Sequence, residues 1–300
     1  MSLIDSILQG ILLGGYYAIL AAGLSLMFGV VRFINLAHGD LAIVGAYLVL
    51  AIVGLFEISP FVALIIVLPI MAALGWVLQA ALFARTLRGG FLLPLLTTFG
   101  LGAVLQNALH GVFGSDTRSL GNYIGAFSWE SFDLPADLSV GRLPVMTFAT
   151  SVLVLGALQM MLSHTKLGRA IRATSEDADT AGLIGIDAKN IYRCAAAIAV
   201  VLAGLAGVFL AMRASIAPYS GPPQLIFAFE AVVIGGMGSL WGTLIGGIAL
   251  GVAQNIGAQL SSQWFQLAGH LLFLAVLGVR LLVAHAKNHG GWRSILGWQS

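Results

Sequence analysis

Lys166-Leu167-Gly168-Arg169-Ala170-Ile171-Arg172-Ala173-Thr174-Ser175-Glu176-Asp177-Ala178-Asp179 places three cations before three anions. It belongs to a polar island, 163–187, which is more charged than any stretch of its length that does not overlap it. Apolar runs long enough to cross a membrane flank it on both sides. About 20 apolar residues suffice for a helical crossing. The island therefore reads as a loop that leaves the membrane between two spans, and the rest of the chain is read outward from it.

Of 300 residues, 59% are hydrophobic and only 9% charged, with a mean hydropathy of +0.98. Soluble domains carry about 25% charged residues, so the surface of a soluble fold this size could not be covered. The expectation is an all-α, polytopic transmembrane bundle forming a single permease-like domain over 1–300. Gly, at 38 residues, suits close helix approach in lipid. The lone Cys194 gives neither a disulfide nor a metal cluster. The N-terminus lacks the positive n-region of a cleaved signal, so the first apolar run is expected to stay as a span. A net charge of +2 gives no reason to expect a nucleic-acid partner.

Spans are expected near 7–31, 37–56, 61–84, 91–113, 144–163, 191–212, 241–260 and 264–283. A shorter apolar piece, 225–238, ends in Gly235-Gly236-Met237-Gly238-Ser239. It reads as a short crossing or a re-entrant half-helix, giving about eight or nine spans in all. Lys and Arg set orientation. Residues 164–193 hold Lys166, Arg169, Arg172, Lys189 and Arg193, so 164–190 is expected to be cytoplasmic. Arg85, Arg88 and the basic tail 284–300, with Lys287, Arg293 and the interfacial Trp292 and Trp298, should share that side. The loop 114–143 carries Asp116, Glu130, Asp133 and Asp137 against Arg118 and Arg142, and is expected outside, as is the N-terminus. A cytoplasmic tail then requires 225–260 to cross twice. A weak internal repeat relates 39–48 to 242–251, each opening a span after a polar or Gly-rich break.

No Walker, His-Glu-x-x-His, Cys-x-x-Cys or usable Gly-x-Gly-x-x-Gly pattern is present. No catalytic residue, cofactor or metal is expected. Polar groups inside apolar runs are costly unless they line a path or pair. Arg32-Phe33-Ile34-Asn35-Leu36-Ala37-His38-Gly39-Asp40 is the first such break. It reads either as an ordinary turn capped by Asn35 or as a hinge of a translocation path, with His38 a structural hydrogen-bonder. Thr97, Thr98, Gln106 and Asn107 form the second. Glu230 is the third, read either as a functional intramembrane carboxylate or as one at the outer interface or paired with Arg213. In the island, Thr174 or Ser175 is expected to cap a short helix, with Glu176, Asp177 and Asp179 in its first turn. The Ala181-Gly182-Leu183-Ile184-Gly185-Ile186 patch is apolar enough to press into a soluble partner.

Three stretches together resemble the permease subunits of branched-chain amino acid ABC importers. They are Gly23-Leu24-Ser25-Leu26-Met27-Phe28-Gly29-Val30 with Ile34–Asp40, Arg172–Asp177 with Ala181–Ile186, and Phe229–Gly242. The resemblance covers about residues 10–260. It implies a type II importer fold in the membrane of a bacterial cell (the inner one), pairing with a second related permease subunit and two ATP-binding subunits. A periplasmic binding protein would deliver a small-molecule substrate, and the ATPase subunits would hydrolyse ATP. On this resemblance Arg172, Glu176, Asp177, Ala181, Gly182 and Gly185 belong to the ATPase-coupling loop, and Asn35, His38 and Gly39 to the inner structural core. With Asp40, Thr97, Gln106, Asn107 and Glu230 they make up the candidate path. The expected solute is a branched-chain or other hydrophobic amino acid. The same family also includes carriers of urea, short amides and aromatic carboxylates. A stand-alone secondary transporter or channel using Glu230 or Asp40 is the reading from another class.

Overall fold

The computed structural model describes residues 3–86, 90, 92–134 and 138–288. Arg88, Pro135, Asp137, Trp292, Arg293 and Trp298 lie outside the described residues. The long helices are α1 (Leu3–Val31), α2 (His38–Phe56), α3 (Pro60–Thr86, with a π-helical turn at Gln79–Phe83), α4 (Leu92–Phe113) and α5 (Arg142–His164). Two short polar helices follow, α6 (Lys166–Glu176) and α7 (Ala178–Leu183). The chain then continues through α8 (Ala188–Arg213), α9 (Gly221–Gly235), α10 (Leu240–Leu260) and α11 (Trp264–Asn288). Eight of these are long and apolar enough to cross a membrane, and they coincide with the eight expected spans within a few residues. Apolar length is a local property of sequence, so this agreement needs no knowledge of packing.

Two contacts define the ends of the bundle. At the end taken as outer, Gln9 Nε2 donates to the Ser139 carbonyl in the loop 114–143. At the inner end, the Arg32 guanidinium donates to the Ser175 carbonyl in the island. The outer loop departs from the all-α expectation by a small antiparallel hairpin, β1 (Ser131–Leu134) and β2 (Leu138–Gly141), with Ser131 opposite Gly141. Glu130 and Arg142 pair at its base.

α1 and α8 form the centre of the bundle, and Ala18, Ile19, Leu20, Ala21 and Ala22 of α1 are fully buried. Glycines set the spacing. A side chain at Gly14 would strike the backbone of Ile248 on α10, and one at Gly207 of α8 would strike the Ala42 carbonyl on α2. With no hydrophobic drive between helices in lipid, such backbone approaches supply the dispersion contacts that hold the spans together. α4 and α11 lie outermost and expose Leu96, Phe99, Leu274 and Val279.

The segment 214–235 answers the question left open by its length. At 15 residues, α9 spans about 22 Å, short of the roughly 30 Å hydrocarbon core. The non-helical run 214–220 leads from the outer loop, where Ile216 bridges Arg118. The turn after α9 reaches Ser25 near the inner end of α1, through Gly238 N–H to Ser25 Oγ at 3.1 Å. Run and short helix together therefore traverse the bundle. Residues 32–37 behave likewise in reverse. The chain turns back from the inner end without helix, and α2 begins beside Leu20, in the middle of α1, where His38 Nε2 lies 2.9 Å from the Leu20 carbonyl.

This pairing gives the internal symmetry. Helix α1, a non-helical run, α2, α3 and α4 are matched by α8, a non-helical run, α9, α10 and α11, running in the opposite sense. α10 packs along α1 and α3 along α8. It is an inverted repeat with broken spans. The expected match of 39–48 with 242–251 is corrected: α2 corresponds to α9, whereas 242–251 lies in α10, the counterpart of α3. Short Gly-rich sequence similarity reports close packing, which several helices share, rather than topological position.

Candidate functional site

The two broken spans meet at their N-termini. Gly39 and Asp40 in the first turn of α2 touch Gly221, the first residue of α9, so closely that a side chain at either glycine would strike the other backbone or Asp40. Only residues without Cβ allow two helix starts to approach in this way. Asp40 is 4% exposed. Its Oδ1 accepts from Gln106 Nε2 at 2.9 Å, and its Oδ2 faces Gly102 of α4. A carboxylate in the first turn complements the dipole of α2. Its carboxyl is thus wedged against the start of α9 as well, between two helix N-termini.

The non-helical run 32–37 is held by side chains. Leu36 N–H donates to Thr98 Oγ1 at 3.1 Å. Asn35 Oδ1 accepts from Ala37 N–H at 3.0 Å, within the turn that precedes α2. Ala37 occupies the helix cap and offers no side-chain bond, so Asn35 shapes the approach rather than capping the helix. His38 is buried against α1. Phe33 packs on Phe83 at the π-helical turn of α3, with ring centroids 5.3 Å apart. The structure thus brings together Asn35, His38, Gly39, Asp40 and Gln106 from the expected path with Thr98 of the second polar break, and adds Gly221.

The remaining candidates lie elsewhere. Thr97 and Asn107 bond carbonyls of their own helix, Leu93 and Ala103, and Asn107 is exposed on the outer face of α4. Glu230 sits about two and a half turns beyond Gly221 along α9. Of the readings open for Glu230, the pairing with Arg213 is corrected: its partner is His270 of α11, at 2.5 Å. Arg213 ends α8 at the outer end, whereas α9 has carried Glu230 inward.

At the inner end, α6 and α7 form a two-helix projection. Thr165 caps α6 by accepting from Gly168 N–H. The expected cap of the second helix is also corrected. Thr174 and Ser175 lie within α6, Thr174 buried, and Glu176 ends it. Asp177 itself is the cap, extended at φ −151° and ψ 106°. Its Oδ1 accepts from Asp179 N–H at 2.9 Å and Thr180 N–H at 3.0 Å, and its Oδ2 from the Thr180 hydroxyl at 2.6 Å. The Thr180 hydroxyl and then these N–H groups hold the Asp177 carboxyl below the usual carboxylate range. The Arg172 guanidinium turns back to the Leu162 carbonyl at the end of α5.

Ala181 is buried and bolts α7 to the following turn, where Ile186 N–H reaches the Ala181 carbonyl at 3.1 Å. Gly185 adopts φ +85° at that turn, the left-handed C-terminal stop for which glycine is favoured. Leu183 and Ile184 at the tip are 87% and 74% exposed. Gly182 and Gly185 face open space. A capped helix thus holds two neighbouring aliphatic side chains out into solvent, an exposed apolar patch of the kind found at contact sites.

The family model of the permease component of branched-chain amino acid transport systems matches residues 6–284. The chain is 32% identical over 291 residues to the high-affinity branched-chain amino acid transport system permease protein BraD of Pseudomonas aeruginosa, covering 91% of this chain and 93% of that protein. It is 29% identical to the high-affinity branched-chain permease protein LivH of Salmonella typhimurium, over 91% and 92% of the two chains. It is 30% identical to a probable branched-chain amino acid permease, LivH, of Methanocaldococcus jannaschii, over 93% and 90%.

Proposed function

This chain belongs to the family of permease components of branched-chain amino acid transport systems, and from that premise we propose how its broken spans carry out transport. It is a multi-pass membrane permease of an ABC importer for branched-chain or other hydrophobic amino acids. As a family of ABC importer permeases implies, it works with an ATPase and a solute-binding protein. The finer assembly is our reading: a second related permease subunit, two ATP-binding subunits and a periplasmic binding protein, in a bacterial inner membrane, with ATP hydrolysed by the partners.

The observation that carries the mechanism is the Arg32–Ser175 contact. It fastens the projecting α6–α7 pair to the start of the run 32–37, which leads without interruption to the Asp40–Gly221 crossing. ATP-driven closure of the ATPase pair moves the projection, with Leu183 and Ile184 seated on the ATPase and Gly182 and Gly185 allowing close approach. Arg172 and the Glu176–Asp177 junction keep the two helices in fixed relation. The pull reaches α2 through Arg32, and the two helix starts shift against each other about the Asp40–Gln106 pin. Access then alternates between the two ends. Asn35, His38 and Gly39 serve as supports of the hinge. Thr97 and Asn107 belong to a face of α4 open to a second permease subunit.

Reconstitution tests this reading. The complete assembly in proteoliposomes should take up leucine only with ATP and binding protein. Gradient-driven uptake by this chain alone would overturn it in favour of a self-contained carrier.

A further inference from the structure

The outer half of the bundle holds a chamber beside the crossing, lined by neither Asp40 nor Gly221. A cavity of about 210 Å3 lies between α1, α5, α8 and α10. It is smaller than the roughly 300–1,000 Å3 of drug-sized sites, and so suited to one small solute. Arg213 lines it and has no hydrogen-bond or ion-pair partner among the described residues. Gln9 and Asn255 line it too. Their amide nitrogens are engaged, Gln9 with Asp5 and the Ser139 carbonyl and Asn255 with the Gly251 carbonyl, so each keeps its oxygen as an acceptor. Leu143 and Phe209 supply apolar wall. Tyr16 also lines the chamber, and its hydroxyl donates at 2.6 Å to Gln224 in the first turn of α9. A second cavity of about 330 Å3 shares Gln9, Leu143 and Arg213 and lies against the outer loop at 127–131.

One free cation, two amide oxygens and an aliphatic wall match a zwitterion with an apolar side chain. We propose that this chamber binds a free α-amino acid with an aliphatic side chain before it reaches the crossing. Its carboxylate rests on Arg213, its ammonium on the oxygens of Gln9 and Asn255, and its side chain against Leu143 and Phe209. The second cavity is the way in from the outer loop, and the Tyr16–Gln224 hydrogen bond ties occupancy to the start of α9. The choice of solute rests on the permease reading above; the chamber itself does not.

The test uses the complete transporter with its binding protein and ATP in proteoliposomes. Arg213→Gln should lower leucine uptake at least tenfold, Arg213→Lys much less, and Asn255→Leu by an intermediate amount. In the wild-type assembly, leucine should protect Arg213 from an arginine-specific dicarbonyl reagent, whereas leucinol, which lacks the carboxylate, should not. This second measurement decides the matter if Arg213→Gln fails to assemble. Wild-type uptake by Arg213→Gln, or no protection by leucine, overturns the proposal. So does protection that follows anionic lipid content instead of leucine, which would make Arg213 a lipid-phosphate anchor. If the wild type imports no branched-chain amino acid, the solute reading falls. Protection of Arg213 by a different carboxylated solute would then still support the chamber.

Discussion

The Arg32 guanidinium donates to the Ser175 carbonyl at 2.9 Å, joining the inner end of α1 to the last turn of α6 across 143 residues of chain. Arg32 adopts φ 58°, the left-handed region that a non-glycine residue rarely takes, because the chain must reverse there into the run 32–37. Arg32→Gly keeps this conformation available and removes the side chain with its guanidinium. A hydrogen bond from a charged group contributes roughly 1.5–3 kcal/mol, and this one, being exposed, belongs at the low end. Arg32→Gly is expected to cut leucine transported per ATP hydrolysed by about tenfold while binding-protein-stimulated hydrolysis persists. An unchanged ratio would remove Arg32 from the coupling route.

Leu183 and Ile184 touch solvent rather than the bundle, so changing them should leave the fold alone. Burying two such side chains on a partner is worth about 1.5–3 kcal/mol each. Leu183→Asp with Ile184→Asp is expected to abolish co-purification of the ATPase subunits, with the melting temperature of the isolated permease unmoved. Retained co-purification would place the docking surface elsewhere.

The Asp177 cap makes a prediction with a definite sign. Its folded-state pKa is lowered by the Thr180 hydroxyl and the neighbouring N–H groups. The cap therefore contributes stability above the unfolded value of about 3.9, and loses it as pH falls through the lower folded value. Near neutral pH the cap is fully formed, so any pH dependence of uptake between 6 and 8 should survive Asp177→Asn. Asp177→Ala should speed hydrogen exchange at the Asp179 and Thr180 amides; unchanged exchange would show that the cap does not hold α7.

Glu230 is 2% exposed and bonded to His270. Removing its partner by His270→Ala strands a buried polar group at a cost of about 1–3 kcal/mol, read as a lower melting temperature. Glu230→Gln retains a hydrogen-bonding group and should transport at near wild-type rate. Loss of uptake in Glu230→Gln without loss of stability would instead make this carboxylate an ion or proton site.

Gly221 faces the Asp40 backbone and carboxylate with no room for a methyl group. Overpacking costs about 1–3 kcal/mol. Gly221→Ala should lower both the melting temperature and uptake, and Gly221→Val should do so more strongly. A Gly221→Val protein of wild-type stability would contradict the close crossing.

The spans, the polar island, its apolar tip and the family were legible in the sequence. The first three depend on composition over about 10 to 25 neighbouring residues, and the free energy of transfer into lipid is set by that local content; the family was legible only through the resemblance of three motif stretches. The break at 32–40 was equally visible, since polar residues interrupt an apolar pattern. Which residues meet was not. Asp40 finds Gln106 and Gly221, Arg32 finds Ser175, and Glu230 finds His270 and not Arg213. Those pairings depend on the direction in which each helix runs and on glycines that let particular backbones touch. Periodicity within one helix carries neither. The distinction between a re-entrant and a crossing 214–235 is of the same kind. Fifteen helical residues are too few to span, and only packing against α1 and the outer loop shows that a non-helical run completes the passage.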